Sequence, residues 1–475
     1  MYALIFEPAF MKKAKKVDIL LISPLLRQFF PPETLLDDFN KKFDIPYGLL
    51  SIASYLKSQG YSVAIEAFDY RAHKMGFVRG NDLRKLETKI ISDIMSEYDT
   101  KVVGIGCYTI QYPGTLRVLK QLKRIKPQIK TVLGGPHVTF LDREALAEAD
   151  NLVDFVVRGE GEYTVKDLLD FILKRAGHKK LEDIKGLSYR DATTGYIKNP
   201  DQAFVDLATL PGLNYDFLAK EYIQNANLHI IRSRGCRQNC KFCVSPGMYR
   251  RTIRYRPTEQ IRKEINFLVT EYGIAELGIF DEVINADKVN FEKLCAVMGN
   301  AHRVHGVNFW VQTRADMVGD ATLKLMKESG VITIAFGAES GSDKVLAEVS
   351  KHLTYKKIHD AVARASEHGL KVFTFWIFGL PSATKADEEK TLKGIREILK
   401  YNLIRPELAI FVPYPGTYFH KNMESSRIVI TNPNYEEWGR LNSAMVFKHP
   451  YMTNEEVLRF YQEGQRVVSE ATYGI

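Results

Sequence analysis

Two patterns of apolar and polar positions alternate along most of this chain: short unbroken apolar runs, and longer stretches with helical spacing. In the first half, residues 17–23, 61–68, 101–107, 131–133 and 153–157 are β-branched or apolar runs of strand length. Residues 47–59, 83–98, 116–125 and 164–175 repeat apolar positions at helical intervals, and Gly60 stops the first of them. Strands separated by helices predict an α/β domain with a doubly wound parallel sheet covered on both faces. Residues 185–188 and 196–198 flank a polar turn and read as a small hairpin. A linker follows it and stops at Pro211.

The second half repeats the alternation six times. Strands are expected at residues 228–233, 276–280, 307–313, 331–336, 371–378 and 408–412, with helices at 258–272, 288–302, 321–328, 355–368 and 386–400. Six such units predict a partial (βα)6 barrel, whose chemistry belongs at the carboxyl ends of its strands. Helical spacing in residues 454–471 predicts a helix capping that barrel. The expected organisation is an extension at 1–16, a doubly wound domain at 17–180, the hairpin and linker at 181–225, the barrel at 226–417 and a small helical segment at 418–475.

Composition narrows the class. A chain of 475 residues is too long for one ordinary core, and 45% hydrophobic with 26% charged residues is a soluble globular balance. No run of 18 apolar residues is present, so no transmembrane helix is expected. The lysines at 12, 13, 15 and 16 follow the mildly apolar first ten residues, the reverse of a secretory signal; Met11 is an alternative start. Five cysteines, three of them clustered, suit a reducing cytoplasm. The net charge of +9 reads as a solvated lysine-rich surface, or as a field that steers an anionic ligand or an acidic electron donor. No arginine-rich tract with interleaved aromatics points to nucleic acid.

The chemistry concentrates at Cys236, Cys240 and Cys243, a CxxxCxxC spacing at the end of the first barrel strand. Three thiolates hold three corners of a 4Fe-4S cube, and a full set needs four. Cys107 and Cys295 are far away in sequence, so one iron would stay open to a ligand. Zinc is the other reading of three thiols. It normally takes four ligands in paired CxxC or Cys/His spacings, and the nearest histidine, His229, sits in an apolar run.

This spacing, with the aromatic Phe242 just before the last cysteine, resembles the radical S-adenosylmethionine (SAM) superfamily. The resemblance implies that the open iron chelates SAM, whose reductive cleavage yields a 5′-deoxyadenosyl radical. It carries over to later strand ends. Asp281 and Glu282 stand where the family meets the methionine amino group. Arg314 stands where a planar guanidinium can pair with the carboxylate. Glu339 and Ser340, in a Gly-x-Glu-Ser-Gly-Ser turn, stand at the ribose. Gly379, opening Gly-Leu-Pro, stands near the adenine, and Pro415-Gly416-Thr417 matches the turn after the sixth strand.

In the first half, the loops Ile45-Pro46-Tyr47, Cys107-Tyr108-Thr109, Gly134-Gly135-Pro136-His137 and Arg158-Gly159-Glu160-Gly161-Glu162 resemble the cobalamin-binding domain fused to many radical SAM enzymes. Tyr108, Thr109, Gly134, Gly135 and His137 are the contacts this implies. The loop after the first strand, residues 23–28, lacks the histidine that ligates cobalt from below in many such domains. The expected activity is a cobalamin-dependent radical SAM enzyme that methylates an unactivated carbon, reduced by flavodoxin or ferredoxin and acting on a small-molecule, lipid or peptide substrate. Alternatives are a ring-forming enzyme of the anaerobic porphyrin-cyclase type and a non-enzymatic metal-binding or redox-sensing protein.

Overall fold

The computed structural model describes residues 14–25, 43–76, 82–404, 406–439 and 445–473. Both candidate starts, Met1 and Met11, and residues 26–28 of the loop after the first strand lie outside them. The chain divides into two compact units. The first holds residues up to 25 with 46–107 and 114–202; the second holds 26–45, 108–113 and 203–475.

The first unit is built on a seven-stranded sheet. Five parallel strands lie in the spatial order Phe155–Val157, Lys130–Gly134, Val102–Gly106, Ile19–Ser23, Val63–Ala67. Residues such as Ile19, Leu20, Ile22, Val102 and Leu133 are almost wholly buried. Helices on both faces explain why these strands are continuous apolar runs rather than alternating ones. The first strand lies between the second and third, so chain direction across the sheet reverses there. Ligands of open α/β sheets sit beyond the carboxyl ends at such a switch.

The hairpin expected in the linker belongs to this sheet instead. Leu187–Asp191 pairs antiparallel with Phe155–Val157, and Gly195–Lys198 pairs antiparallel with it as the outermost strand. The sheet is therefore mixed. Arg158 enforces the join from inside: its guanidinium donates to the carbonyls of Leu187 (2.9 Å) and Asn199 (2.5 Å), and its side chain lies 3.7 Å from the Asp142 carboxylate. An arginine buried this deeply needs acceptors, and the hairpin backbone supplies them.

The second unit carries six parallel strands in chain order: His229–Ile230, Glu276–Ile279, Asn308–Thr313, Val331–Glu339, Lys371–Phe378 and Glu407–Ile410. Alternate side chains separate its two faces. On Lys371–Phe378, Val372, Thr374, Trp376 and Phe378 are buried, while Phe373, Phe375 and Ile377 on the opposite face are only half-buried. The buried face is the one the helices cover. A side chain on Gly394 of the helix Lys385–Ile398 would meet Tyr355 at 2.8 Å and Trp376 at 3.4 Å.

Two expectations change here. The first barrel strand is not continuous through residue 233: the chain leaves the sheet after Ile230, and Ser233–Arg234 pairs antiparallel with Arg254–Tyr255. The helix Asn454–Tyr473 does not cap the barrel. It packs beside Lys385–Ile398 and against the last two strands, with Tyr461 edge-on to Phe378 at 6.2 Å. In the C-terminal segment Phe419, Trp438, Phe460 and Tyr461 are buried, whereas Tyr418 and Tyr451 are exposed. Short helices at Phe68–Lys74, Pro136–Phe140, Asp142–Glu148 and Asp343–Glu348 were not expected, because so few residues give no readable period.

Gly464 lets the last helix approach the sheet, since a Cβ there would lie 2.9 Å from Phe378 and 3.1 Å from Leu408. Gly464→Val is expected to lower stability by about 1–3 kcal/mol through overpacking, read as a fall in the thermal midpoint.

Candidate active site

The three cysteines lie on the loop that leaves the first barrel strand. Cys240 is buried, Cys236 and Cys243 are half-buried, and Phe242 between them is half-buried. Gly235 makes the exit possible. Its φ is +102°, and a Cβ there would stand 2.1 Å from the carbonyl oxygen of Thr252. Within the loop, Cys243 N–H donates to Cys240 O (3.1 Å) and Ser245 N–H to Cys243 Sγ (3.4 Å).

Burial pushes all three thiols up, Cys243 to about 12, with the Glu282 carboxylate adding to the effect at Cys243 and Cys236. Lys351 and Arg314 oppose it at Cys236 and Cys240. Iron must therefore displace protons as it loads, as metals do at any thiol set. Among the described residues no three His, Cys, Asp or Glu side chains are gathered around a point that would suit one metal ion. A cube in which each cysteine binds its own iron does not require that. Cys107 and Cys295 are buried elsewhere, so the donor set is three sulfurs on one loop, which fits a cube with one open corner.

Strand ends surround this loop. Asp281 has no exposed surface: it accepts from Arg232 Nε (2.6 Å) and from the Ser233 backbone N–H (2.8 Å). It is a structural anchor for the start of the cluster loop. Its neighbour Glu282 is open to solvent on one side and walled by protein on the other, and burial there raises its carboxyl. Ser245 Oγ donates to it at 3.2 Å. Of the acidic pair, Glu282 is the one with exposed surface.

Buried Arg314 pairs in two-pronged fashion with the more exposed Asp316, both contacts at 3.0 Å, and Arg314 Nη2 also donates to Lys351 O (2.9 Å). Glu339 ends the fourth strand in the left-handed region, φ +64°, where the ladder shifts register after Gly337. Its carboxylate accepts from Lys351 Nζ at 2.8 Å, both side chains being buried. A side chain at Gly337 would displace this pair, since a Cβ would lie 2.3 Å from Glu339 Oε1 and 2.6 Å from Lys351 Nζ.

Lys351 escaped the sequence reading because no motif marks it. The signal is conformational: Ser350 and His352 on either side both have positive φ, +57° and +54°. Such residues cost about 1–2 kcal/mol each, and they hold the lysine in place. Burial works against its charge, but Glu339 beside it and Cys240 beyond prevail, and its pKa is raised. The same stretch is tied to the cluster loop by Lys241 N–H donating to Val349 O (2.9 Å). Ser340 is buried against Thr391, and Gly379 turns with φ +72°. Thr417 of the Pro-Gly-Thr turn caps the helix Tyr418–Lys421.

In the first unit, a cavity of about 60 Å³ opens among Gly104, Gly134, Gly135, Gly159 and Gly161, walled by Leu21, Leu49, Ile52 and Val157. Two of these glycines have no room for a side chain: a Cβ on Gly161 would meet Ile52 at 2.9 Å, and one on Gly135 would meet Cys107 O at 2.6 Å. Cavities that hold a benzene ring measure about 150 Å³, so the slot takes the tip of a flat apolar group unless its aliphatic walls turn. That character, at the carboxyl edge of the sheet, fits part of a large ring cofactor. His137 is buried in the helix Pro136–Phe140 and does not line the slot. Tyr108 and Thr109 group with the second unit, Tyr108 largely exposed and Thr109 buried.

Residues 44–169 match the B12 binding domain, and residues 230–395 match the radical SAM superfamily. The chain is 29% identical over 380 residues to an uncharacterized methyltransferase of Pyrococcus horikoshii, covering 78% of this chain and 79% of that protein. It is 25% identical over 383 residues to the anaerobic magnesium-protoporphyrin IX monomethyl ester cyclase of Rubrivivax gelatinosus, covering 78% of this chain and 64% of that protein. Its fold is similar to a radical SAM methyltransferase of Kitasatospora setae solved with cobalamin and a 4Fe-4S cluster bound. The TM-score is 0.67 at 16% identity, over 88% of this chain and 80% of that one.

Asp281→Ala would strand the buried Arg232 guanidinium. The expected loss is about 3–5 kcal/mol, seen as a lower urea midpoint with an unchanged slope.

Proposed function

We propose, for a chain that belongs to the radical SAM superfamily and carries a B12 binding domain ahead of its barrel, that it is a cobalamin-dependent enzyme that methylates an unactivated carbon. The observation that carries this reading is the meeting of two features at one barrel edge. A loop of three cysteines leaves the first strand, and the buried Glu339–Lys351 pair closes the fourth and bears electrostatically on those cysteines.

Cys236, Cys240 and Cys243 hold the cluster, and the glycine-lined slot of the first unit takes part of cobalamin. When bound, these groups would supply one-electron reductive cleavage of SAM and methyl-transfer chemistry. The protein's own part is positioning. Glu282 offers an acceptor to the methionine ammonium. Lys351 places a desolvated cation beside the cluster loop, where the methionine carboxylate needs a partner. Glu339, whose Oε1 is held by that lysine, offers a carboxylate to the ribose hydroxyls. Arg314 is committed to Asp316 and the Lys351 carbonyl, so it acts by fixing the lysine loop.

Likeness to a methyltransferase favours methyl transfer, and the likeness to a cyclase keeps ring formation as the second reading. No helix among the described residues is long and apolar enough to cross a membrane, and the proposed reductant is a flavodoxin or ferredoxin.

Anaerobically reconstituted protein with dithionite and SAM is expected to release 5′-deoxyadenosine. Cys240→Ala should remove both the cluster absorbance and this product, down to an enzyme-free control. Cleavage by that variant would defeat the assignment. A product heavier by one CH2 marks methylation; a product lighter by hydrogens alone marks ring closure. Lys351→Met is expected to weaken SAM binding about tenfold, roughly 1.4 kcal/mol, measured calorimetrically on the unreduced, cluster-loaded protein.

A further inference from the structure

The turns at the ends of the fourth and fifth barrel strands are held by side chains that no motif marks. One helical turn supplies most of them. Asp387, Glu388 and Thr391, at i, i+1 and i+4 on the helix Lys385–Ile398, are all buried. Asp387 accepts from Ser342 Oγ (2.7 Å) and from Thr384 N–H (3.0 Å). Thr391 Oγ1 accepts from Gly341 N–H (3.0 Å) and pairs with Ser340 Oγ (3.1 Å). Glu388 reaches the other turn, accepting the Gly379 N–H at 2.8 Å. Gly341 has no room for a side chain, since a Cβ would lie 2.3 Å from Lys390 O.

The C-terminal segment holds the second turn from the opposite end. His449 is 3% exposed, and its Nε2 lies 2.9 Å from Leu380 O. Its Nδ1 accepts from the backbone N–H groups of Tyr451 (3.1 Å) and Met452 (3.2 Å). An imidazole whose Nδ1 accepts must carry its proton on Nε2, so His449 donates to Leu380 O, which also accepts from Ala383 N–H at 2.8 Å. Gly379 completes the seat: its φ is +72°, and a Cβ would stand 2.8 Å from Val457 of the last helix.

Apolar side chains would pack these layers without the cost of desolvating a carboxyl and an imidazole. Polar groups are needed if the orientation of the peptide planes is what must be specified. Burial pushes the Glu388 carboxyl up to about 8 and the His449 imidazole down. Near neutral pH both then act as uncharged hydrogen-bonding groups, suited to gripping backbone rather than to binding an ion.

We propose that Glu388 and His449 are positioning residues for SAM: they grip the Gly379 N–H and the Leu380 C=O, while Asp387 and Thr391 tie the Ser340–Ser342 turn to the same helix. The two turns thus keep one separation, matched to a single nucleoside. The C-terminal segment, through His449, sets the affinity for that nucleoside without touching it. The proposal rests on the SAM-binding reading above.

Paired variants separate positioning from packing. His449→Gln keeps a donor where Nε2 lies, and His449→Asn keeps only an acceptor where Nδ1 lies. Cluster-loaded, unreduced His449→Asn is expected to bind SAM about tenfold more weakly by calorimetry. Its 5′-deoxyadenosine rate at saturating SAM should stay within about threefold of wild type, and deuterium exchange should quicken in the peptide spanning residues 376–384. His449→Gln should bind within about twofold of wild type. Glu388→Gln, which still accepts, should match wild type, and Glu388→Leu should match His449→Asn. Equal SAM affinity in His449→Asn and His449→Gln, or a saturated rate that falls while affinity holds, would overturn the proposal. Should wild-type, cluster-loaded protein bind no SAM, the functional reading fails first and this one with it.

Discussion

The cluster loop depends on one buried ion pair. Arg232 and Asp281 lie on neighbouring strand ends, both almost without solvent, and Asp281 also accepts the Ser233 N–H. Two charges taken out of water are tolerated only when every remaining donor and acceptor is met. Arg232 accordingly also donates to the carbonyls of Ile284 and Asn290. The first strand is cut short because its chain is drawn to that carboxylate, and the cysteines begin three residues later. Their place at the barrel edge follows from electrostatics in the core rather than from the cysteines themselves.

A second layer of order rests on strain. Glu339, Ser350 and His352 all occupy the left-handed region without being glycine. Backbone of this kind persists only where surrounding contacts outweigh its cost. Here those contacts are the Glu339–Lys351 pair, the Arg314 donation to Lys351 O and the Lys241 donation to Val349 O. The strained loop, the ion pair and the cysteine loop therefore form one connected body. A change in any of them reaches the others through contacts of about three ångströms.

Much of the architecture was legible in the sequence, since strands and helices of full length carry clear periods. The helix Thr258–Tyr272 and the strand Lys371–Phe378 fall where apolar spacing placed them. Shorter elements, such as Pro136–Phe140, were not legible because five residues make less than two turns. The hairpin Leu187–Lys198 was found but not its attachment, which a buried arginine thirty residues earlier decides. Motif reading singled out the cysteines, Glu282 and Glu339, and the structure sets them at strand ends of one sheet. The same reading placed Asp281 and Arg314 in the right neighbourhood but could not see that their charges are spent on Arg232 and Asp316. Lys351, Glu388 and His449 were illegible because long-range partners, not local spacing, set their roles.

The antiparallel hairpin at the margin of the first sheet has a consequence for what that sheet offers to other chains. A parallel sheet ending in Phe155–Val157 would offer an apolar strand with unsatisfied amides to any passing chain. The hairpin covers that strand and replaces it with Gly195–Lys198, four residues long, half-exposed and ending in lysine. Such a rim offers another chain less apolar surface than Phe155–Val157 would, and its terminal lysine is the kind of charge that blunts sheet edges.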